Sequence, residues 1–294
     1  MTATSPPLVP HAGGLRALVA RHPAAAMLIM MFVIAWALLI PPALAGIPLE
    51  PFPLLGAVLL GQLLPAVLVT AAVGGRPAVR ELFSRVFRWR VRVLWNLVAL
   101  LAIPVVALLA TVVVFGTGAV RALFTDPSII LGYLNSLSIL PLINLWEETA
   151  WMGVIQARLA VGRGPLLAAV ITGVFFTLVH LPLRFGQPLG EIVLGLIFAG
   201  LLGIGLRIMI GWLYYASGGS ILIAAIVHVT FNATNNGTLL TAASPGNSVV
   251  DLIPWLTVGV LGLLVAVLTR GRLGAREGDL QRYAGAPAWA ASTS

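Results

Sequence analysis

The chain contains no cysteine. Disulfides, thiolate metal ligands and a cysteine nucleophile are therefore excluded, and the redox compartment is left unread. Lysine is also absent, so all 17 basic residues are arginines. Charge of either sign is scarce. Only 9% of the 294 residues are charged, against roughly 25% in soluble domains, while 60% are hydrophobic and the mean hydropathy is +1.04. Aspartate is confined to Asp126, Asp251 and Asp279, in positions that read as loop or tail. No pair of membrane aspartates is available for aspartyl chemistry. Neither HExxH nor GxSxG occurs, which disfavours a zinc helix of the usual kind and a serine hydrolase elbow.

What the sequence has in abundance is long apolar runs. A membrane-spanning helix needs ~20 predominantly apolar residues, and eight candidate runs follow one another with short connections. They cover residues 24–44, 53–73, 93–115, 131–159, 165–181, 189–213, 220–239 and 252–268. The expected fold is all-α, a polytopic integral membrane bundle of about eight helices. Residues 1–22 read as a tail without fold, 23–269 as one transmembrane domain, and 270–294 as a second tail. Ala43-Leu44-Ala45 imitates a signal-peptidase site, but the apolar core before it is longer than the usual ~7–15 residues, so the first helix is expected to be retained.

The net charge of +8 and pI near 11.4 are topology signals and not a nucleic-acid signature, because the arginines lie between the apolar runs. Fourteen fall on one side: Arg16, Arg21, Arg76, Arg80, Arg85, Arg88, Arg90, Arg92, Arg158, Arg163, Arg270, Arg272, Arg276 and Arg282. Arg121 and Arg184 fall on the other. The positive-inside rule then makes both termini cytoplasmic, with membrane lipids as natural partners and no nucleic acid expected. Phe83, Phe87 and Trp89, interleaved with the arginines of residues 76–92, suit a short helix on the inner membrane surface. The Lys-free, Ala-rich composition fits the plasma membrane of a high-GC bacterium.

Against this apolar background, Glu147, Glu148, His180 and His228 fall inside the runs, with Asn232 as an uncharged companion. A charge near the bilayer centre costs ~2.5–3.5 kcal/mol even on the lenient insertion scale, so such residues face the bundle interior. His228 and Asn232 share a helix face, whereas adjacent Glu147 and Glu148 point about 100° apart. A carboxylate, two imidazoles and an amide from three helices can hold a metal or activate a water directly. The competing reading of any one of them is an interhelical hydrogen bond worth roughly 0.6–2 kcal/mol. Asn144 and Glu191 read as structural on that argument, and Gly195, Ala199 and Gly203 read as a helix-packing stripe. The helix depths of the polar residues point to a cavity open toward the cytoplasm. Intramembrane Glu and His also build proton relays, but no internal repeat of the transporter kind is present.

The segments Glu147-Glu148-Thr-Ala-Trp-Met, Phe176-Thr-Leu-Val-His180 and His228-Val-Thr-Phe-Asn232 resemble the EExxxR, FxxxH and HxxxN/D motifs of the CPBP family, the CAAX proteases and bacteriocin-processing enzymes also called the abortive-infection family. The resemblance covers residues 131–236. It implies an intramembrane endopeptidase acting on a membrane-associated peptide or lipidated protein. By that resemblance Glu147 is the general base for water, Glu148 its supporting neighbour, and His180 the group that orients the water or binds a metal. His228 and Asn232 stabilise the oxyanion or complete the metal site. A zinc or other divalent ion held by Glu147, His180 and His228 is the implied cofactor, although a glutamate mechanism without metal is also known for the family.

One position departs from the pattern: the arginine of EExxxR falls at Met152. Glu148 is then expected to lack its counter-ion and to have a pKa raised by desolvation. Arg158 lies ~16 Å along the helix from Glu147 and cannot be assumed to substitute. The departure raises the alternative of a non-catalytic membrane scaffold, of the bacteriocin-immunity or regulatory kind.

Overall fold

The computed structural model describes residues 14–236, 238–241, 248–276 and 278–284, which are helical without any strand. Eleven helices set the frame: α1 (Leu15–Arg21), α2 (Pro23–Leu44), α3 (Phe52–Val86), α4 (Val93–Phe115), α5 (Pro127–Ile139), α6 (Pro141–Ala160), α7 (Pro165–Val179), α8 (Leu189–Ala216), α9 (Ile221–Asn236), α10 (Ser248–Leu268) and α11 (Asp279–Ala284). Short turns of helix fill some of the connections. Five of these are long and apolar enough to cross a membrane, and α5 with α6 forms a sixth crossing bent by 44°. Apolar helices α7 and α9 occupy the fifth and seventh expected runs but are short. The 15 residues of α7 span ~22 Å, less than the ~30 Å hydrocarbon core.

The side chains are partitioned as lipid demands. Ile29, Val33, Leu101, Leu109, Leu201 and Leu264 are exposed, whereas Glu147, Glu148, Gln62, Arg207 and His228 are buried. Lipid tails are as apolar as leucine, so close packing and interhelical polar contacts hold such a bundle together. This is an integral membrane protein.

The bend between α5 and α6 departs from the single helix expected over 131–159. Leu140 is followed by Pro141, which opens α6 at its first turn, a position where the missing N–H costs nothing and the fixed φ suits a new helix. Helix α6 then runs with π geometry over Trp151–Gln156. Such wide turns occur mostly as local insertions in α-helices, frequently at functional sites. In α3, Gly75 breaks the helix with φ 66°, and the arginine-rich stretch beyond it is helical as far as Val86.

The described parts of the two tails pack onto the bundle. Helix α1 packs on α3, and Arg16 Nε donates to the Ala72 carbonyl at 3.4 Å. At the other end α11 buries Tyr283 and Ala284 against the end of α6. Buried Arg85 donates to the Tyr283 carbonyl at 2.5 Å and to the Tyr214 hydroxyl at 2.8 Å. Residues 1–13 and 285–294 of the expected tails lie outside the described residues.

The closest helix crossing is not at the expected stripe. A Cβ on Gly205 would sit 2.3 Å from the Val258 carbonyl oxygen, and one on Gly262 only 2.4 Å from Gly205 Cα. Helices α8 and α10 therefore meet backbone to backbone. Of the expected stripe, Gly195 faces the Arg184 guanidinium, while Ala199 and Gly203 line a cavity. Gly205→Val is expected to lower stability by about 1–3 kcal/mol, the usual cost of overpacking. Thermal unfolding in detergent would read this, and an unchanged midpoint would count against the crossing.

Candidate active site

The bend at Leu140–Pro141 starts α6 so that Asn144 and Glu147, three residues apart, share one face. Glu147 is 4% exposed, and Asn144 Nδ2 donates to its Oε2 at 2.8 Å. Gln62, buried in α3, approaches Oε1 at 3.5 Å. On the next face of α6, fully buried Glu148 points away from Glu147 toward α8 and α9.

There Glu148 meets a residue that composition and motif reading both passed over. Arg207 of α8, fully buried, donates through Nη1 to both Glu148 oxygens at 2.7 and 2.9 Å. Its Nε and Nη2 donate to Gln156 Oε1 at 3.0 and 2.8 Å, and Gln156 Nε2 returns a bond to the Arg207 carbonyl at 3.2 Å. The expectation that Met152 leaves Glu148 without a counter-ion is overturned. The charge comes from a neighbouring helix, and Met152 is packed in the core. With that premise falls the expectation of a raised Glu148 pKa. The signal was in the sequence: of the 17 arginines, Arg207 belongs to neither the fourteen nor the two assigned to the ends, and it interrupts an apolar run, where an ionisable residue implies a buried partner.

His228 joins the two glutamates. Its Nδ1 lies 2.9 Å from Glu148 Oε1 and 3.9 Å from Glu147 Oε2. A carboxylate oxygen accepts, so Nδ1 carries the proton. One turn on, Asn232 Nδ2 donates to Asn144 Oδ1 at 3.3 Å, which ties α9 to α6. Asn144, read from the sequence as structural, thus touches both Glu147 and Asn232.

His180 caps α7. Its Nδ1 donates to the Phe176 carbonyl at 2.6 Å, which fixes Nδ1 as the protonated nitrogen and leaves Nε2 as an acceptor. The Phe176 ring stands between the histidines, 4.7 Å from His180 and 5.4 Å from His228 by centroid. The Arg207 guanidinium lies 5.6 Å from the same ring, within cation–π range.

Glu147, His180, His228 and Asn232 all line one cavity of about 520 Å³, and Glu148 stands behind its wall. That volume is in the range of small-molecule and peptide side-chain sites. The mouth carries Glu50, Arg184 and Gln187. These belong to the connections after α2 and after α7, at the end of the bundle opposite the Arg-rich segments. The cavity therefore opens away from the end expected from helix depths. The error lay in the outer helix ends: α6 opens at Pro141, α7 closes at Val179 and α9 at Asn236, so Glu147, His180 and Asn232 all lie nearer that end.

Residues 128–234 match the family model described as type II CAAX prenyl endopeptidase Rce1-like. This segment belongs to the CPBP family. The family is one of CAAX-type intramembrane proteases, and the matched stretch contains all five candidate site residues and Arg207. No curated protein matches the chain. Among the described residues, no three His, Cys, Asp or Glu side chains are grouped so as to hold a metal ion. Glu147, His180 and His228 line the same cavity without forming such a group. Asn144→Ala, which removes a hydrogen bond to a charged group worth about 1.5–3 kcal/mol, is expected to lower turnover of the CPBP site roughly ten- to hundredfold. Steady-state peptide hydrolysis would measure this, and unaltered rates would show that Asn144 only packs.

Proposed function

We propose that this protein is an intramembrane endopeptidase that hydrolyses a peptide bond of a membrane-associated or lipidated substrate, using a water activated by Glu147. The observation that carries the reading is the division of labour between the two glutamates. Glu148 is neutralised behind the wall by Arg207, while Glu147 faces the cavity with only neutral amides as hydrogen-bond partners. A carboxylate so placed is free to accept a proton.

In the proposed reaction Glu147 takes a proton from water as the water oxygen bonds to the scissile carbonyl carbon. The carbonyl electron pair moves to its oxygen, where His228 and the second amide proton of Asn232 stabilise the charge. In this scheme His228 is the imidazolium throughout, with Nδ1–H on Glu148 and Nε2–H toward the oxyanion, so it neither takes nor gives a proton in the cycle. Collapse of the tetrahedral adduct breaks the C–N bond, and the departing amine takes the proton that Glu147 holds. His180, with Nε2 as acceptor, orients the water. No step is routed through a metal.

Positive-inside charge places the cavity mouth on the extracytoplasmic side of a bacterial plasma membrane, with both termini in the cytoplasm. The substrate is then a segment presented from the outer leaflet. This favours an exported peptide or lipidated protein over a prenylated cytosolic one. The scaffold alternative drew its motive from Met152, and Arg207 supplies what that position lacks. The experiment is reconstitution with a peptide library, comparing the wild type with Glu147→Gln and His180→Ala. Cleavage dependent on both residues supports the reading, and equal cleavage by all three proteins refutes it.

A further inference from the structure

At the Arg-rich end of the bundle lies a second cavity, of about 560 Å³, remote from the peptidase site. Its wall combines Trp95 from the first turn of α4 with Trp212 and Tyr215 from the last turns of α8. The two indoles meet edge to face with centroids 5.8 Å apart. The rim carries Arg92 at the start of α4 and Arg276 and Arg282 from the C-terminal segment. None of these three guanidinium groups has an ion-pair partner among the described residues. Among the described residues, Asp279 is the acid in the lining, and it accepts a hydrogen bond from the Arg276 backbone N–H at 2.8 Å. The described lining therefore carries three positive charges against one negative charge.

Below the rim, Leu94, Leu97 and Leu101 of α4 are exposed at 55%, 49% and 49%. Their spacing of three and four puts them on one lipid-facing side of α4. Interfacial tryptophans, a cluster of arginines and an apolar stripe below them are what a phospholipid needs at the level of its phosphate, glycerol and chains.

We infer that this cavity binds the phosphate of an anionic phospholipid of the cytoplasmic leaflet, with Arg92, Arg276 and Arg282 around the phosphate and Trp95 and Trp212 beside the glycerol. Bound there, the lipid joins the start of α4 to the C-terminal segment, which otherwise meet across an open cleft.

The test uses the full chain, purified in detergent and stripped of lipid, with phosphatidylglycerol and phosphatidylcholine added separately and retention read by native mass spectrometry. Wild type is expected to retain about one phosphatidylglycerol at least tenfold in preference to phosphatidylcholine. Each of Arg92→Gln, Arg276→Gln and Arg282→Gln should weaken retention about fivefold, the equivalent of ~1 kcal/mol per arginine near a membrane surface. Arg272→Gln, outside the cavity, should leave it unchanged. Equal retention of the two lipids, or undiminished retention by all three of Arg92→Gln, Arg276→Gln and Arg282→Gln, would overturn the assignment. Inorganic phosphate provides the other arm. Competition with phosphatidylglycerol supports phosphate recognition, whereas thermal stabilisation by phosphate without lipid retention would overturn the lipid in favour of a soluble phosphate.

Discussion

Replacing Arg207 by methionine is expected to destabilise the protein by about 3–5 kcal/mol, because a fully buried Glu148 would be left without its counter-charge. Much of that cost is the penalty of the orphaned carboxylate, not the worth of the pair. The double variant Arg207→Met/Glu148→Gln should accordingly be more stable than Arg207→Met alone. Unfolding midpoints of the two singles and the double form a cycle that isolates this coupling. Arg207→Lys should fall between, since one ammonium cannot bridge both Glu148 oxygens and Gln156 as the guanidinium does. A relocation makes the sharper test. Met152→Arg combined with Arg207→Met returns a cation to the position one helical turn beyond Glu148, and should recover much of the lost stability. If Arg207→Met unfolds at the wild-type temperature, the ion pair is not what holds Glu148.

Why this pair was invisible in the sequence is a matter of physics. Hydropathy locates spans because each span meets lipid by itself, and the expected runs lie close to α2, α4, α8 and α10. Pairing across helices depends on tertiary approach. Glu148 and Arg207 lie 59 positions apart, and no local period links them. An arginine within a span nonetheless has to be satisfied, so Arg207 could have been flagged as a partner in search of a carboxylate. Gln62, also interrupting an apolar run, carried a similar signal and lies against Glu147.

The site residues were legible as a set because three short motifs fall in a fixed order on separate apolar helices. Their convergence on one cavity was not. It depends on the bend at Pro141, on the shortness of α7 and α9, and on Phe176 standing between the two histidines, and a continuous helix over 131–159 hides the first of these. The direction of the cavity was misread because depth was counted from the inner helix ends, which stand as read, whereas the outer ends at Pro141, Val179 and Asn236 lie nearer the site.

The second large effect concerns Glu147 itself. Glu147→Gln keeps the shape and can still accept from Asn144, so the fold should be unaffected, with the unfolding midpoint close to that of the wild type. Only the capacity to take a proton is lost. General-base catalysis typically contributes 10²–10⁴-fold, so turnover should fall by about that factor with little change in KM, since Glu147 acts on the water and not on substrate affinity. Glu148→Gln should behave differently. It weakens the support of Arg207 and His228, so loss of activity should come together with loss of stability. The contrast between the two adjacent glutamates separates a reacting group from a positioning one.

The most direct measurement of the central claim is hydrolysis of a cleavable membrane-associated peptide by purified, reconstituted wild type and Glu147→Gln of equal thermal stability. The account predicts cleavage by the wild type and a loss of at least a hundredfold in the variant. Cleavage at the same rate by both proteins would contradict it.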